Sequence, residues 1–230
     1  MPPATVMGTI ERKVVFALEL IDPITGLAVT EGIVPSIAGL PPPQATASNR
    51  FVWRDDGPAL ARQVDVTLTI ANPRRARYAP PPLPLQFNVP ANDGTASPAA
   101  LLWRADLQTT ARYQPPEGTM AVTGTLQEGN GSTMPIVGAE ITIEISHSGG
   151  TGQHQSSHTA VTGSNGDFTA VLAGLTDEVP DPEPGALGAI AGWLRVRTPT
   201  GTKLRPIDPP LRPGRTTTLR SPVKWEPDPP

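Results

Sequence analysis

A repeat of β-strand grammar, about 115 residues apart, limits what this chain can fold into more than any other feature. Residues 25–37, Thr-Gly-Leu-Ala-Val-Thr-Glu-Gly-Ile-Val-Pro-Ser-Ile, have a counterpart at 132–145, Ser-Thr-Met-Pro-Ile-Val-Gly-Ala-Glu-Ile-Thr-Ile-Glu-Ile. Each runs on to a turn that leads into an aromatic, Ser48-Asn49-Arg50-Phe51 in one half and Ser164-Asn165-Gly166-Asp167-Phe168 in the other. Both halves close on a Pro-Pro pair, Pro115-Pro116 and Pro229-Pro230. A repeat of domain length means two similar folding units. The expected fold is therefore all-β, with two tandem antiparallel β-sandwich domains at residues 1–115 and 119–230. Their joint falls at Gln114 to Gly118, where Pro-Pro-Glu-Gly stiffens the connection.

Alternation is clearest at Val137 to Ile145, where Val137, Ala139, Ile141, Ile143 and Ile145 alternate with Gly138, Glu140, Thr142 and Glu144. Successive strand side chains point to opposite faces, so this segment reads as one apolar face and one wet face. Val64 to Ile70 repeats the design, and Leu194 to Arg197 gives a shorter version. Val14 to Ile21 is apolar on both faces except at Glu19, which suits a strand covered on both sides. Further strands are expected at 101–113, 119–126, 168–173 and 216–225. Turns are expected at Asp22 to Gly26, Asp55 to Pro58, Asn92 to Gly94, Asn130-Gly131 and Asn165-Gly166. Few windows avoid Gly, Pro and β-branched residues for long enough to make a helix; Ala186 to Ala191 is the one short candidate.

The 30 prolines and 22 glycines scatter between apolar runs and read as turns and strand ends rather than as a disordered tract. Pro41-Pro42-Pro43, Pro80 to Pro84 and Pro180 to Pro184 read as extended connections, because proline cannot donate to a sheet ladder. The alternative reading of such a run is a ligand for a proline-binding module. With 18 Lys and Arg against 21 Asp and Glu there is no electrostatic footprint for nucleic acid or an anionic membrane. No apolar run reaches the length of a membrane span. Cysteine is absent, which excludes disulfides and thiolate chemistry. Without a signal-peptide core near Met1 the expected location is the cytoplasm, or a released particle.

Chemistry finds little to stand on. The three histidines, His147, His154 and His158, crowd into a Ser/Gly-rich segment that reads as a solvated hairpin tip. Four residues along a strand separate side chains by about 13 Å, too far for one metal ion. Glu140 and Glu144 fall on the presumed wet face, where nothing raises a carboxyl pKa for acid catalysis. Asp55-Asp56 and Asn92-Asp93 read as turn residues, and Asn130-Gly131-Ser132 as an idle glycosylation match. No catalytic residue, metal site or cofactor is expected. The tryptophans remain: large aromatics mostly fill cores, but an exposed one marks a contact surface. Trp53, Trp193 and Trp225 are the candidate partner contacts, Trp225 foremost for its place near the C-terminus.

The second half resembles the carboxypeptidase regulatory-like domain, a transthyretin-like seven-stranded β-sandwich. The likeness rests on Val122-Thr123-Gly124-Thr125, on Pro135-Ile136-Val137-Gly138-Ala139-Glu140-Ile141, and on Thr162 through Asn165-Gly166-Asp167-Phe168. Gly163 stands where that family usually has Asp. The first half resembles it more distantly, since Asn49 replaces the turn glycine before Phe51 and the Gly-Ala pair is missing. The resemblance implies a transthyretin-like or immunoglobulin-like sandwich that is non-catalytic and serves as spacer, folding aid or docking surface. Such domains also occur in accessory proteins of phage-tail-like contractile particles. The expected function is that of a structural or adaptor protein docking into a larger assembly, with other protein subunits or copies of itself as partners. The alternative is a module that binds a glycan or another surface ligand through Trp53 or Trp193.

Overall fold

The computed structural model describes residues 13–55, 62–72, 75–81, 84–90, 101–129, 131–146, 153–173 and 188–226. The expected turns at Asp56 and at Asn92-Asp93, and Asn130, His147 and the Pro180 to Pro184 run, lie outside them. The chain forms two compact units. The first takes Met1–Ile21, Leu27–Ala71 and Pro81–Asp106; the second takes Asp22–Gly26, Asn72–Pro80 and Leu107–Pro230. Residues 114–118 thus fall inside the second unit.

In the first unit β1 (Lys13–Ile21) is the centre of a sheet. It pairs antiparallel with β4 (Phe51–Asp55), which carries β3 (Gln44–Ala45) on its far side, and parallel with β8 (Leu102–Asp106). The other sheet is antiparallel throughout, β2 (Ile33–Ile37), β5 (Arg62–Ile70) and β7 (Leu85–Val89), with β5 in the middle. Phe16 of β1 lies 5.2 Å from Trp53, 4.9 Å from Trp103 and 5.5 Å from Phe87, centroid to centroid, so one aromatic cluster joins residues of both sheets. Such pairs add about 0.5–1.5 kcal/mol each beyond the area they bury. Val15 to Leu20 are all buried, as a strand apolar on both faces requires.

The second unit centres on β10 (Ala121–Glu128), antiparallel to β14 (Asp167–Val171) and parallel to β17 (Thr216–Thr218) and then β18 (Val223–Trp225). In its other sheet β11 (Glu140–Ser146) is flanked on one side by β15 (Gly192–Thr198) and then β16 (Gly201–Pro206). On its other side stand β12 (Gln153–Gln155) and β13 (Ala160–Val161). Beyond β13 come β9 (Gln108–Thr109) and β6 (Tyr78–Ala79). Ala139, Ile141, Ile143 and Ile145 enter the core with Leu126, Phe168, Leu194 and Trp225. Each large aliphatic side chain so buried contributes about 1.5–3 kcal/mol.

The sequence repeat is a repeat of topology. The order β4-β1-β8 is matched by β14-β10-β17 with the same strand senses, and β2-β5-β7 by β11-β15-β16. The bridge Ile21 to Ala28 recurs as Gln127 to Pro135. The turn into the aromatic recurs bond for bond: Thr46 N–H donates to Arg50 O and Asn49 N–H to Thr46 O, as Gly163 N–H donates to Asp167 O and Gly166 N–H to Gly163 O. Asn49 has φ 56° and Gly166 φ 76°, so both turns need a left-handed residue. Asn tolerates that conformation by bonding locally, here from Nδ2 to Ala28 O at 3.2 Å. Asn49→Ala is expected to cost about 1–2 kcal/mol in urea unfolding, and Asn49→Gly clearly less. Equal losses would mean that the side-chain bond, not the backbone angle, selects Asn.

Three expectations need correction. The strand expected over 101–113 breaks at Asp106, because Trp103 and Ala105 pair with β1 while Thr109 pairs with Ala160 of β13 in another sheet. Val137 is 61% exposed and precedes β11 rather than lining the core. Near the expected short helix, Ile190 instead bridges to Leu211 in extended conformation, and residues 186–187 lie outside the described range.

Candidate functional site

The densest chemistry among the described residues is a buried polar network inside the second unit. It is assembled from segments far apart in sequence. Asp22 opens the turn read at Asp22 to Gly26: its Oδ1 accepts from Ile24 N–H at 2.8 Å and Thr25 N–H at 3.3 Å, the local bonding that suits Asp to turns. Its carboxylate also accepts the Tyr78 hydroxyl at 2.9 Å and the Tyr113 hydroxyl at 3.1 Å from each oxygen. The two rings meet edge to face at 5.8 Å, and the Arg77 guanidinium lies 5.8 Å from both centroids. Asp22, Tyr78 and Tyr113 are buried. Burial pushes the Asp22 carboxyl up, but the N–H and hydroxyl donors outweigh it and hold it below the usual aspartate range. Burial and the Asp22 charge push the Tyr113 phenol well up, so it stays protonated and can only donate to its partner.

Next to this clamp Thr109 Oγ1 lies 2.8 Å from His158 Nε2 and 3.0 Å from Thr169 O. A threonine has one hydroxyl proton, and a carbonyl can only accept. The bond to Thr169 therefore uses that proton, and His158 Nε2–H donates to Thr109. Burial pushes the imidazole down to about 4, against the opposing pull of the Asp22 charge. His158 is thus neutral at pH 7 with its Nε2 proton committed, and it cannot serve Thr109 as a base. For His158 the expected solvated hairpin tip is corrected here: it is 3% exposed, because the segment leading into β13 lies against β9, where Thr109 bonds it.

A pocket of about 610 Å³ opens alongside, lined in part by Ala76, Ala79, Thr110, Arg112, Asn165 and Asp167. Asp167 Oδ1 is buried there with no hydrogen-bond partner among the described residues. No cluster of three His, Cys, Asp or Glu able to hold a metal occurs among the described residues.

The other buried acids are paired across strands. Glu144 is 1% exposed and bonded to Arg195 Nε, which corrects its expected place in water. The wet face of β11 is covered at that end, although Glu140 remains partly exposed and reaches Arg197 at 3.4 Å. In the first unit Glu19 takes Nε donors from both Arg50 and Arg104. Burial would raise the Glu19 carboxyl; the bonds and charges of the two arginines overcome this and hold it low.

The tryptophan candidates divide. Trp53 is fully buried against Phe16, and Trp225 is 5% exposed within the second core, with Lys203 Nζ 5.6 Å from its ring. Neither offers a free face, because each sits on the inward side of its strand. Trp193 alone of the three is partly exposed, on the outward side of β15. Sequence reading missed Asp22, Tyr78, Thr109 and Tyr113 as a group. The Asp22 turn was visible, but nothing local says which tyrosines, 56 and 91 residues away, come to it.

No protein-family model and no curated protein matches the chain. Among solved structures it is similar to the Bacillus anthracis TIE protein, at a TM-score of 0.29 and 10% identity over 93% of this chain and 33% of that one. A streptococcal ancillary pilin follows at 0.25 and 10%, covering 92% and 62%, and a shaft pilin from Lactobacillus rhamnosus GG at 0.26 and 9%, covering 91% and 97%. The chain spans about a third of the first of these and under two thirds of the second.

Proposed function

We propose that this chain is a non-enzymatic structural or adaptor protein that docks into a larger multimeric assembly. The observation that carries the reading is how its buried acids and bases are used. Asp22 is bonded by two tyrosines and two backbone N–H groups, His158 by Thr109, and Glu19 and Glu144 by arginines on neighbouring strands. These groups hold strands together, and none pairs a base with a nucleophile at an open pocket, as catalysis would need. Exposed Val34, Met134, Val137 and Leu204 supply apolar surface outside the cores. A place as accessory component of a phage-tail-like contractile particle is the specific form favoured by the resemblance of the second half to carboxypeptidase regulatory-like domains. Affinity purification of the tagged chain from its own source, with light scattering of the eluate, tests the reading. A mass above that of the monomer with defined partner subunits is the expected outcome; a sharp monomer with no partner overturns it.

A second reading keeps one foothold. Trp193, partly exposed beside Arg195 on the outer face of β15, is the place a glycan ring would stack. Quenching of its fluorescence in a glycan screen would favour that reading.

A further inference from the structure

We propose that Arg50 and Arg104 form a two-guanidinium clamp on the outer face of the first unit, for a carboxylate carried by an acidic segment of a partner protein. The proposal deepens the docking reading and rests on it for the ligand being a protein. β1 runs between β4 and β8, and neighbouring strands lie about 4.8 Å apart. Glu19 faces Arg104 directly in the parallel register, and Arg50 stands across from it just before the pair Leu18 and Phe51. Each arginine gives its Nε to the one carboxylate, at 2.7 Å for Arg104. The Glu19 side chain is 5% exposed beneath them, whereas those of Arg50 and Arg104 are 43% and 70% exposed. A guanidinium held through Nε still has both Nη groups, the fork that grips a carboxylate. Two such forks, anchored before any ligand arrives, lose little conformational freedom on binding.

The second unit is an internal control. It repeats β4-β1-β8 as β14-β10-β17, yet the pair matching Glu19 and Arg50 is Thr125 and Asp167, with no such triad. The sandwich therefore does not require the arrangement. Nor is stability what a buried ion triad supplies best, since apolar replacements are often neutral or better. Charge points to an acidic ligand. Exposed Arg54 and Asp106 share this outward side; among the described residues there, three arginines stand against two carboxylates, Glu19 and Asp106, and the arginine forks lie outermost, so the face that a partner meets keeps a net positive charge.

The test titrates the full chain with a labelled Glu-Ser repeat peptide, a Gln-Ser control, and oligothymidine of equal charge, following fluorescence anisotropy at low and physiological salt. Two variants are compared. Arg50→Lys with Arg104→Lys keeps a cation on Glu19 but leaves no outward fork. Glu19→Gln with Arg50→Gln and Arg104→Gln removes every charge while keeping polar partners. The expected result is salt-sensitive binding of the Glu peptide alone, weakened at least about tenfold in both variants, whose melting curves show that they fold. No binding by the wild type, equal binding by either folded variant, or tighter binding of oligothymidine would overturn the clamp. Repeating the affinity purification with the lysine variant separates the two claims. If wild type and variant capture the same partner equally, the clamp fails and the assembly reading stands. If neither captures a partner, the assembly reading fails, and the peptide titration still decides the clamp.

Discussion

Gly166→Ala is expected to destabilise the second unit by about 3–5 kcal/mol, the sum of a left-handed backbone penalty and a backbone clash. Gly166 sits at φ 76°, where a Cβ costs about 1–2 kcal/mol by itself. A Cβ there would also stand 2.3 Å from the Leu126 carbonyl oxygen and 3.2 Å from Pro135 Cβ. That oxygen cannot give way cheaply, because it accepts Ile136 N–H at 3.1 Å while Leu126 N–H donates to Gly166 O at 2.8 Å. Leu126 is itself fully buried in the core. Gly138 is the matched control: φ is 75°, yet no atom of the described residues beyond its chain neighbours lies within 4 Å of the added carbon. Gly138→Ala should show only the backbone penalty, about 1–2 kcal/mol. Urea unfolding of both variants separates strain from clash. If the two cost the same, the Asn165-Gly166 turn is not seated on Leu126 as the structure has it.

That contrast also shows what a sequence can say. The turn was legible at both Asn49 and Gly166, because turn chemistry is local and the repeat lends each copy the support of the other. The alternation over Ala139 to Ile145 was legible for the same reason: period two needs no knowledge of partners. What was hidden is everything decided by distant pairing. Glu144 alternates like a surface residue, yet Arg195 on β15 and the surroundings of that strand end bury it. His158 looks like part of a polar loop, yet the pairing of Ala160 with Thr109 just after it brings it to the Thr109 hydroxyl, 49 residues earlier. The tryptophans were placed by size and position, whereas the side of the strand decides exposure: Trp53 and Trp225 face inward and Trp193 outward. The even alternation of Trp103 through Tyr113 likewise conceals a break, since side-chain period continues through Asp106 while the hydrogen-bonding partner changes.

The same buried network makes the second expected result an acid response. His158 titrates at its ordinary value of 6.5 in the unfolded chain and at about 4 in the folded one. Between those values the unfolded chain holds a proton that the folded chain does not, so stability falls as pH drops through the window. Below about pH 4 the loss from this one group is complete, at about 3 kcal/mol. Asp22 and Glu19 act in the same direction but lower. Their folded values lie beneath the ordinary 3.8 and 4.5, so what they contribute is present at neutral pH and lost as pH falls further. His158→Gln keeps an N–H to offer Thr109 but has no proton to gain. Its stability should therefore change little between pH 6.5 and 4.5, where the wild type declines. His147 and His154 are common to both proteins, so the difference between the two curves isolates His158. Chemical denaturation at a series of pH values reads it directly. A variant curve parallel to that of the wild type would place the responsible proton elsewhere. A wild-type curve flat down to pH 4.5 would mean that His158 is not buried beside Thr109. The transition that moves should be the one reported by Trp193 and Trp225, because Asp22, Tyr78, Thr109, Tyr113 and His158 all belong to their unit.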